Sequence, residues 1–206
     1  MTTDNGATQQ KTVRITPNER FQQILKRIQK TERGVSFVKW MNEQGIKVKF
    51  VQDVDITAHY REQVVQNDEE EKDADAPQTI EKKLYLNWDQ PDEILIATMY
   101  REIRRAWQND LMDEIGPGNN ILSSALIDRF AEADAKGFAI AMAIDLARST
   151  NDLGPIHMMT KDKDLQPRIP LAMQVAKDPE TDFDGIQRAA FDTFFMNKNG
   201  QSNNTI

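Results

Sequence analysis

Apolar residues at the start of the chain recur at helical spacing between 21 and 28. Residues 16–19, TPNE, precede them and are typical of a helix N-terminus: Thr caps the helix, Pro occupies its first position and Glu completes a capping box. Gly34 is predicted to end this helix. A second short helix is predicted over 35–44.

Strand patterns follow. Apolar and polar residues alternate with a period of two over 46–51, which predicts a half-buried strand. A second strand is predicted within 54–65 and a third over 80–87. Between them, 67–77 is an acidic run that predicts an exposed, flexible loop.

The second half of the chain is predicted to be mainly helical. Long helices are expected over 91–115 and 120–148, with the first ended by Gly116-Pro117-Gly118. After a stretch interrupted by prolines at 151–170, helical patterns return at 171–177 and 182–196. The fold class is therefore α+β, with a small twisted sheet, several helices and a helical majority.

The predicted organisation is one domain over 16–196, with a disordered N-terminal tail at 1–15 and a polar C-terminal tail at 197–206. The N-terminus lacks the apolar segment of a secretory signal. The longest apolar run, 137–144, is far shorter than the roughly twenty residues that a membrane span requires. These features favour a soluble, cytoplasmic protein that does not bind membranes.

The composition of the chain excludes several kinds of binding and of functional site. With 26 basic and 33 acidic residues, the formal charge is −7, which argues against non-specific binding to nucleic acid. The chain has no cysteine and two histidines, His59 and His157. A disulfide scaffold, a thiol nucleophile and a site with three imidazole ligands are excluded. Neither histidine has a nearby partner that favours catalysis.

Two blocks carry a family resemblance. Residues 84–108 contain Leu-Asn, then Arg101-Glu102-Ile103-Arg104-Arg105 and Ala-Trp-Gln, and residues 129–135 read RFAEADA. In this pattern the chain resembles a bacterial family of metallopeptidase-like domains of unknown function. That family is zincin-like, with a His-Glu-x-x-His helix followed by an Arg-x-x-Glu-Ala-Asp-Ala helix. The resemblance implies a zincin-like α+β fold.

The chain departs from the family at the metal site. Arg101 and Arg105 stand where the family has histidines, and a guanidinium has no lone pair to give a metal. Glu102 matches the family's general base and Glu132 its third ligand. We therefore expect no metal and no cofactor, with zinc present only in active relatives, and Glu102 as a vestige of the catalytic group.

A second hypothesis concerns the charge partner of the two arginines. Glu132 is aligned with a stripe of alanines on its helix, where an unpaired carboxylate would be costly. We expect Arg101 and Arg105 to replace the metal as the positive charge held by Glu132, with Glu102 or Asp134 nearby. Two further interpretations stay open: ordinary surface arginines and a retained anion pocket.

The sequence thus favours a catalytically degenerate metallopeptidase-like protein, a pseudoenzyme with a binding or regulatory role. Its protein partner would dock in the former substrate cleft or on the acidic loop at 67–76. One alternative is an active hydrolase with a divergent site that uses Glu102 and Glu132. Another is a structural component of a bacterial or phage assembly.

Overall fold

A computed structural model describes residues 15–53, 57–65, 79–115 and 121–196. Most of these residues lie in seven helices, and the rest include a three-stranded mixed sheet, so the α+β class and the helical majority are confirmed. In chain order the elements are α1 (Pro17–Ile28), α2 (Glu32–Glu43), β1 (Lys47–Val51), β2 (Ala58–Val65), β3 (Thr79–Asn87), α3 (Asp92–Ile115), α4 (Ile121–Thr150), α5 (Gly154–Met159), α6 (Ile169–Val175) and α7 (Phe183–Asp192). The predicted tails, the acidic loop and the Gly-Pro-Gly helix stop lie outside the described residues.

The N-terminal helix begins at the predicted capping box. The Thr16 hydroxyl accepts a hydrogen bond from the Glu19 amide at 3.3 Å, and the Glu19 carboxylate accepts one from the Thr16 amide at 2.8 Å. The predicted role of Gly34 was wrong, because α1 ends at Ile28 and Gly34 lies in the first turn of α2. A Cβ atom on Gly34 would lie 1.7 Å from the Ile28 carbonyl oxygen, so only glycine permits this approach between the two helices.

The three strands form a sheet in the order β1-β3-β2. β1 runs parallel to β3 with Lys47 opposite Lys83, and β2 runs antiparallel to β3 with Tyr60 opposite Leu84. Leu84, Leu86 and Tyr60 are buried, as the two-residue periodicity predicts for a sheet with one face on the core. β2 is an edge strand whose other neighbour is helix α3.

The two long helices form the centre of the molecule. Most side chains of α4 from Ala133 to Leu146 are buried, and α3 packs against them through a stripe of buried residues that runs from Leu95 to Ala106. The apolar residues of α3 are not all buried, since Trp107 and Leu111 are 37 and 40 % exposed. At the other side of α4, Gly137 lets α7 approach closely: an added Cβ would lie 3.1 Å from the Gln187 carbonyl oxygen.

The region after α4 contains more helix than the sequence pattern predicted. α5 lies inside the stretch 151–170, which was expected to be irregular, and α6 begins at Ile169, before the predicted start at 171. α7 is shorter than predicted and ends at Asp192. None of the described helices combines the length and the apolar character needed to cross a membrane.

Candidate functional site

A cleft of about 380 Å³ opens between α3, α4, α5 and the loop that follows α5. Its walls are mainly apolar and come from Ile94, Ala97, Ala139, Met158, Met159 and Leu165. Three cations, Arg101, Lys136 and Lys161, and one carboxylate, Asp162, also line it. Ion pairs hold the start of α3 beside this cleft, because Arg27 of α1 pairs with Glu93 at 3.0 Å and with Asp152, also at 3.0 Å.

Arg101 is the charged residue of α3 that lines the cleft, and it pairs with Glu102, the next residue in the chain. The Arg101 Nη2 atom lies 2.8 Å from Glu102 Oε1, and Nε donates to the same oxygen at 3.2 Å. The other oxygen, Oε2, accepts a hydrogen bond from the backbone amide of Tyr60 at 3.2 Å. Both oxygens of the Glu102 carboxylate are therefore engaged, and the side chain is only 13 % exposed.

The electrostatics keep Arg101 protonated. Burial by itself lowers the pKa of Arg101, but the hydrogen bond and charge of Glu102 outweigh it, and the negative charges of Glu132 and Asp162 add to the effect. The pKa consequently lies above its usual value. Arg101 is a permanent hydrogen-bond donor at this position and has no lone pair for a cation.

Glu132 does not form the ion pair expected from the sequence. Its carboxylate lies 3.1 Å from Lys136 Nζ, one helical turn along α4, and Lys136 also reaches Asp164 at 3.5 Å. Neither Arg101 nor Arg105 forms an ion pair with Glu132 in the described part of the chain, although the negative charge of Glu132 helps to raise the pKa of Arg101. Arg105 makes no ion pair within the part of the chain that the structure describes.

Asp134 lies at a junction of three helices. Its two oxygens accept hydrogen bonds from Arg104 Nε at 2.7 Å and Gln108 Nε2 at 2.7 Å, both on α3, and from Gln187 Nε2 of α7 at 2.6 Å. The sequence singled out Asp134 but missed these three partners. The spacing of Arg104 and Gln108, four residues apart and hence on one helical face, is the signal that could have found two of them.

The family resemblance implies zinc, and the residues present do not fit it. Arginines occupy the two ligand positions, and both oxygens of Glu102 already accept hydrogen bonds. The described residues contain no group of three or more His, Asp or Glu side chains that could hold a metal ion. His59 on β2 and His157 on α5 are both exposed, and neither lines the cleft.

Compared with protein-family models, with curated proteins and with solved structures, the chain has no match in any of the three.

Proposed function

We propose that this chain is a metallopeptidase-like pseudoenzyme that binds a protein partner. The observation that carries the proposal is the pairing of Arg101 with Glu102 beside the Tyr60 amide. A general base needs a free lone pair within hydrogen-bond reach of the group it deprotonates. In Glu102, three of about four lone pairs already accept hydrogen bonds from Arg101 and the Tyr60 amide, and the side chain is 13 % exposed. This disfavours the alternative of a hydrolase that uses Glu102 with Glu132.

The order and packing of the elements support the proposed relationship. β3 leads directly into α3, which carries the Arg-Glu-x-x-Arg segment, and α4 packs beside it with the Glu-Ala-Asp-Ala segment. Asp134 of the second segment binds Arg104 inside the first. The two blocks that resemble the family are thus neighbours in space as well as similar in sequence.

The cleft is the surface on which we expect the partner to dock. Its apolar walls would bury a hydrophobic side chain or short segment, which is favourable by about 25 cal/mol per Å² of apolar surface. Arg101 and Lys161 lie at the same cleft and offer hydrogen-bond donors to carbonyl or carboxylate groups. A partner segment with an apolar side chain beside an acceptor group fits both features.

A cleft-filling variant tests this function. In Thr98→Trp a large ring replaces a half-buried residue that lines the cleft. Proteins captured by the tagged wild-type chain from an extract of its host should be lost with this variant. The matched control is Val35→Trp on α2, an exposed position outside the cleft, which should retain them. The readout is quantitative mass spectrometry of the captured proteins.

The control also sets the condition for failure. If every protein enriched by the wild-type chain is captured equally by Thr98→Trp, then the cleft is not the binding surface. Circular dichroism of both variants checks that the helical fold is retained, so that a loss of binding reports on the cleft.

A further inference from the structure

The sheet has a second face, on the side opposite the core. Tyr60, Leu84 and Leu86 are buried, so the residues that alternate with them along the strands lie on the other side of the sheet. We call this side the basic face. Its residues form two rows across the three strands: Lys47, Lys83 and Arg61 in one row, and Lys49, Tyr85 and His59 in the next.

The basic face carries an excess of positive charge. Its one adjoining carboxylate on β3 is that of Glu81, which pairs with Lys47 at 2.8 Å and also with Lys83. Lys49 and Arg61 are exposed and make no ion pair among the described residues. The face therefore combines four cations with one carboxylate, although the chain as a whole has a formal charge of −7. An anionic occupant complements this local charge.

Two planar side chains lie among these cations. Tyr85 is half-buried on the central strand, and the exposed His59 lies directly opposite it on β2. Neither side chain makes a hydrogen bond or an aromatic contact within the described part of the chain. Sheet surfaces that bind single-stranded nucleic acid stack bases on such side chains and hold the phosphates with lysine and arginine. An acidic peptide would complement the cations alone and would leave both rings unused.

We propose that the basic face binds single-stranded nucleic acid. Bases stack on Tyr85 and His59, and the surrounding lysines and arginine hold the phosphates. The formal charge of −7 argues against binding over the whole surface, but not against binding at a face whose own charge is positive. RNA and DNA both supply bases and phosphates, so the test includes both. This inference is independent of the function proposed for the cleft.

Fluorescence anisotropy with the full chain tests the proposal. The probes are labelled oligouridylate and oligothymidylate of about ten nucleotides. At least one of them should bind, and the tighter of the two identifies the preferred sugar. The logarithm of the binding constant should fall with the logarithm of the salt concentration with a slope of about −2, since each phosphate neutralised on a single strand contributes about −0.7 and the face has about three charges in excess.

A charge-reversed variant locates the binding surface. Lys49→Glu combined with Arg61→Glu should abolish binding, and the fold should be retained because both positions are exposed. The matched control is Lys26→Glu combined with Lys30→Glu. These two lysines are also exposed and make no ion pair among the described residues, so the net charge changes equally. This control should bind as the wild-type chain does.

Two substitutions of Tyr85 separate stacking from charge. Tyr85→Ala should weaken binding by at least about fivefold, the value of one stacked base. Tyr85→Phe keeps the ring and should bind as the wild-type chain does. Circular dichroism checks that both variants are folded.

Three results would overturn the proposal. The first is a wild-type chain that binds neither probe at about 50 mM salt. The second is a charge-reversed variant that binds as tightly as the wild-type chain. The third is a labelled oligoglutamate that binds as tightly as the oligonucleotides, together with unchanged binding by folded Tyr85→Ala; this result would assign the basic face to an acidic protein segment.

Discussion

Arg101 and Arg105 are the residues at which the chain differs most from the pattern of the proposed family. Sequence spacing correctly places them on the helix that packs against α4, but it does not give the partner of either side chain. The carboxylate that pairs with Arg101 belongs to Glu102, the next residue in the chain. Glu132 pairs with Lys136, which lies on the same helix, α4. Each of these two ion pairs joins residues of a single helix, whereas the hypothesis from the sequence required an ion pair between α3 and α4.

The first residue-scale prediction concerns metal affinity. The wild-type chain, purified without chelator, should contain no stoichiometric zinc. Replacing both Arg101 and Arg105 by His should create zinc affinity, because in the proposed zincin-like geometry two imidazoles four residues apart and the Glu132 carboxylate would form a three-ligand set of the catalytic type. Isothermal titration calorimetry with zinc measures the affinity.

Two controls test whether the zinc affinity requires a third ligand. The pair Gln22→His and Lys26→His puts two imidazoles at the same spacing on the exposed face of α1. It should bind zinc more weakly, because the carboxylate one turn away, that of Glu19, is held by Thr16 in the capping box. Adding Glu132→Ala to the first pair should weaken zinc binding. A folded double-His variant that binds zinc no better than the α1 control would contradict the zincin-like geometry.

At the scale of elements, the sequence predicted most helices and strands because their periodicities are strong. It missed α5 and the start of α6 for a specific reason. Pro155 and Pro170 were interpreted as interruptions of an irregular stretch, but each lies within the first two positions of a helix. Proline is suited to that position because its missing amide would have no partner within the helix. A proline in a sequence is therefore compatible with an irregular stretch and with the start of a helix, and the residues that follow it decide between the two.

Glu81 links two strands and gives an element-scale prediction. Its carboxylate pairs with Lys47 of β1 at 2.8 Å and also with Lys83 of β3. Hydrogen bonds and charge from the two lysines lower the pKa of Glu81 from 4.5 to about 2. A depressed carboxyl pKa stabilises the folded state fully above about pH 4.5, and this contribution is lost as the pH falls toward 2.

Glu81→Gln should therefore flatten the fall in melting temperature between pH 4.5 and 2 relative to the wild-type chain. Added salt should reduce the difference, because the group is near the surface. Glu43→Gln, on the exposed end of α2, is the control and should follow the wild-type profile. Identical acid profiles for wild type and Glu81→Gln would rule out this contribution.

The whole molecule is organised around α3 and α4, whose two ends have different surroundings. From Ala133 to Leu146 most side chains of α4 are buried, whereas its first third exposes Leu126 and Phe130. The sequence of α4 is apolar nearly all round, which predicts burial, but it cannot say whether the covering surface belongs to the same chain. Along α3, Gln108 follows Arg101 by two turns, about 10 Å, so the cleft and the groove lined by Gln108 and Phe130 lie at neighbouring parts of one helix.

Asp134 is the residue on which this arrangement depends most. Asp134→Ala should lower the free energy of unfolding by about 2–3 kcal/mol, because it leaves Arg104, Gln108 and Gln187 without their shared acceptor. The site is about a quarter exposed, which reduces the cost below that of a fully buried pair. The measurement is urea denaturation with comparison of midpoints and slopes.

The control lies on the same helix. Asp128→Ala removes an exposed carboxylate of α4 and should change the free energy of unfolding by no more than about 0.5 kcal/mol. Equal effects of the two substitutions would mean that Asp134 does not join the three helices energetically.

The bond from the Tyr60 amide to Glu102 has a consequence for the sheet as a whole. β2 is the outer strand beside α3, and its Tyr60 amide is directed away from β3 to the Glu102 carboxylate. An unpaired strand edge is a template on which foreign chains polymerise into aggregates. Here a helix side chain occupies the edge at the third residue of β2, and a strand that added there would have to displace a carboxylate already bound to Arg101. The Glu102 carboxylate thus blocks strand addition at this part of the sheet edge.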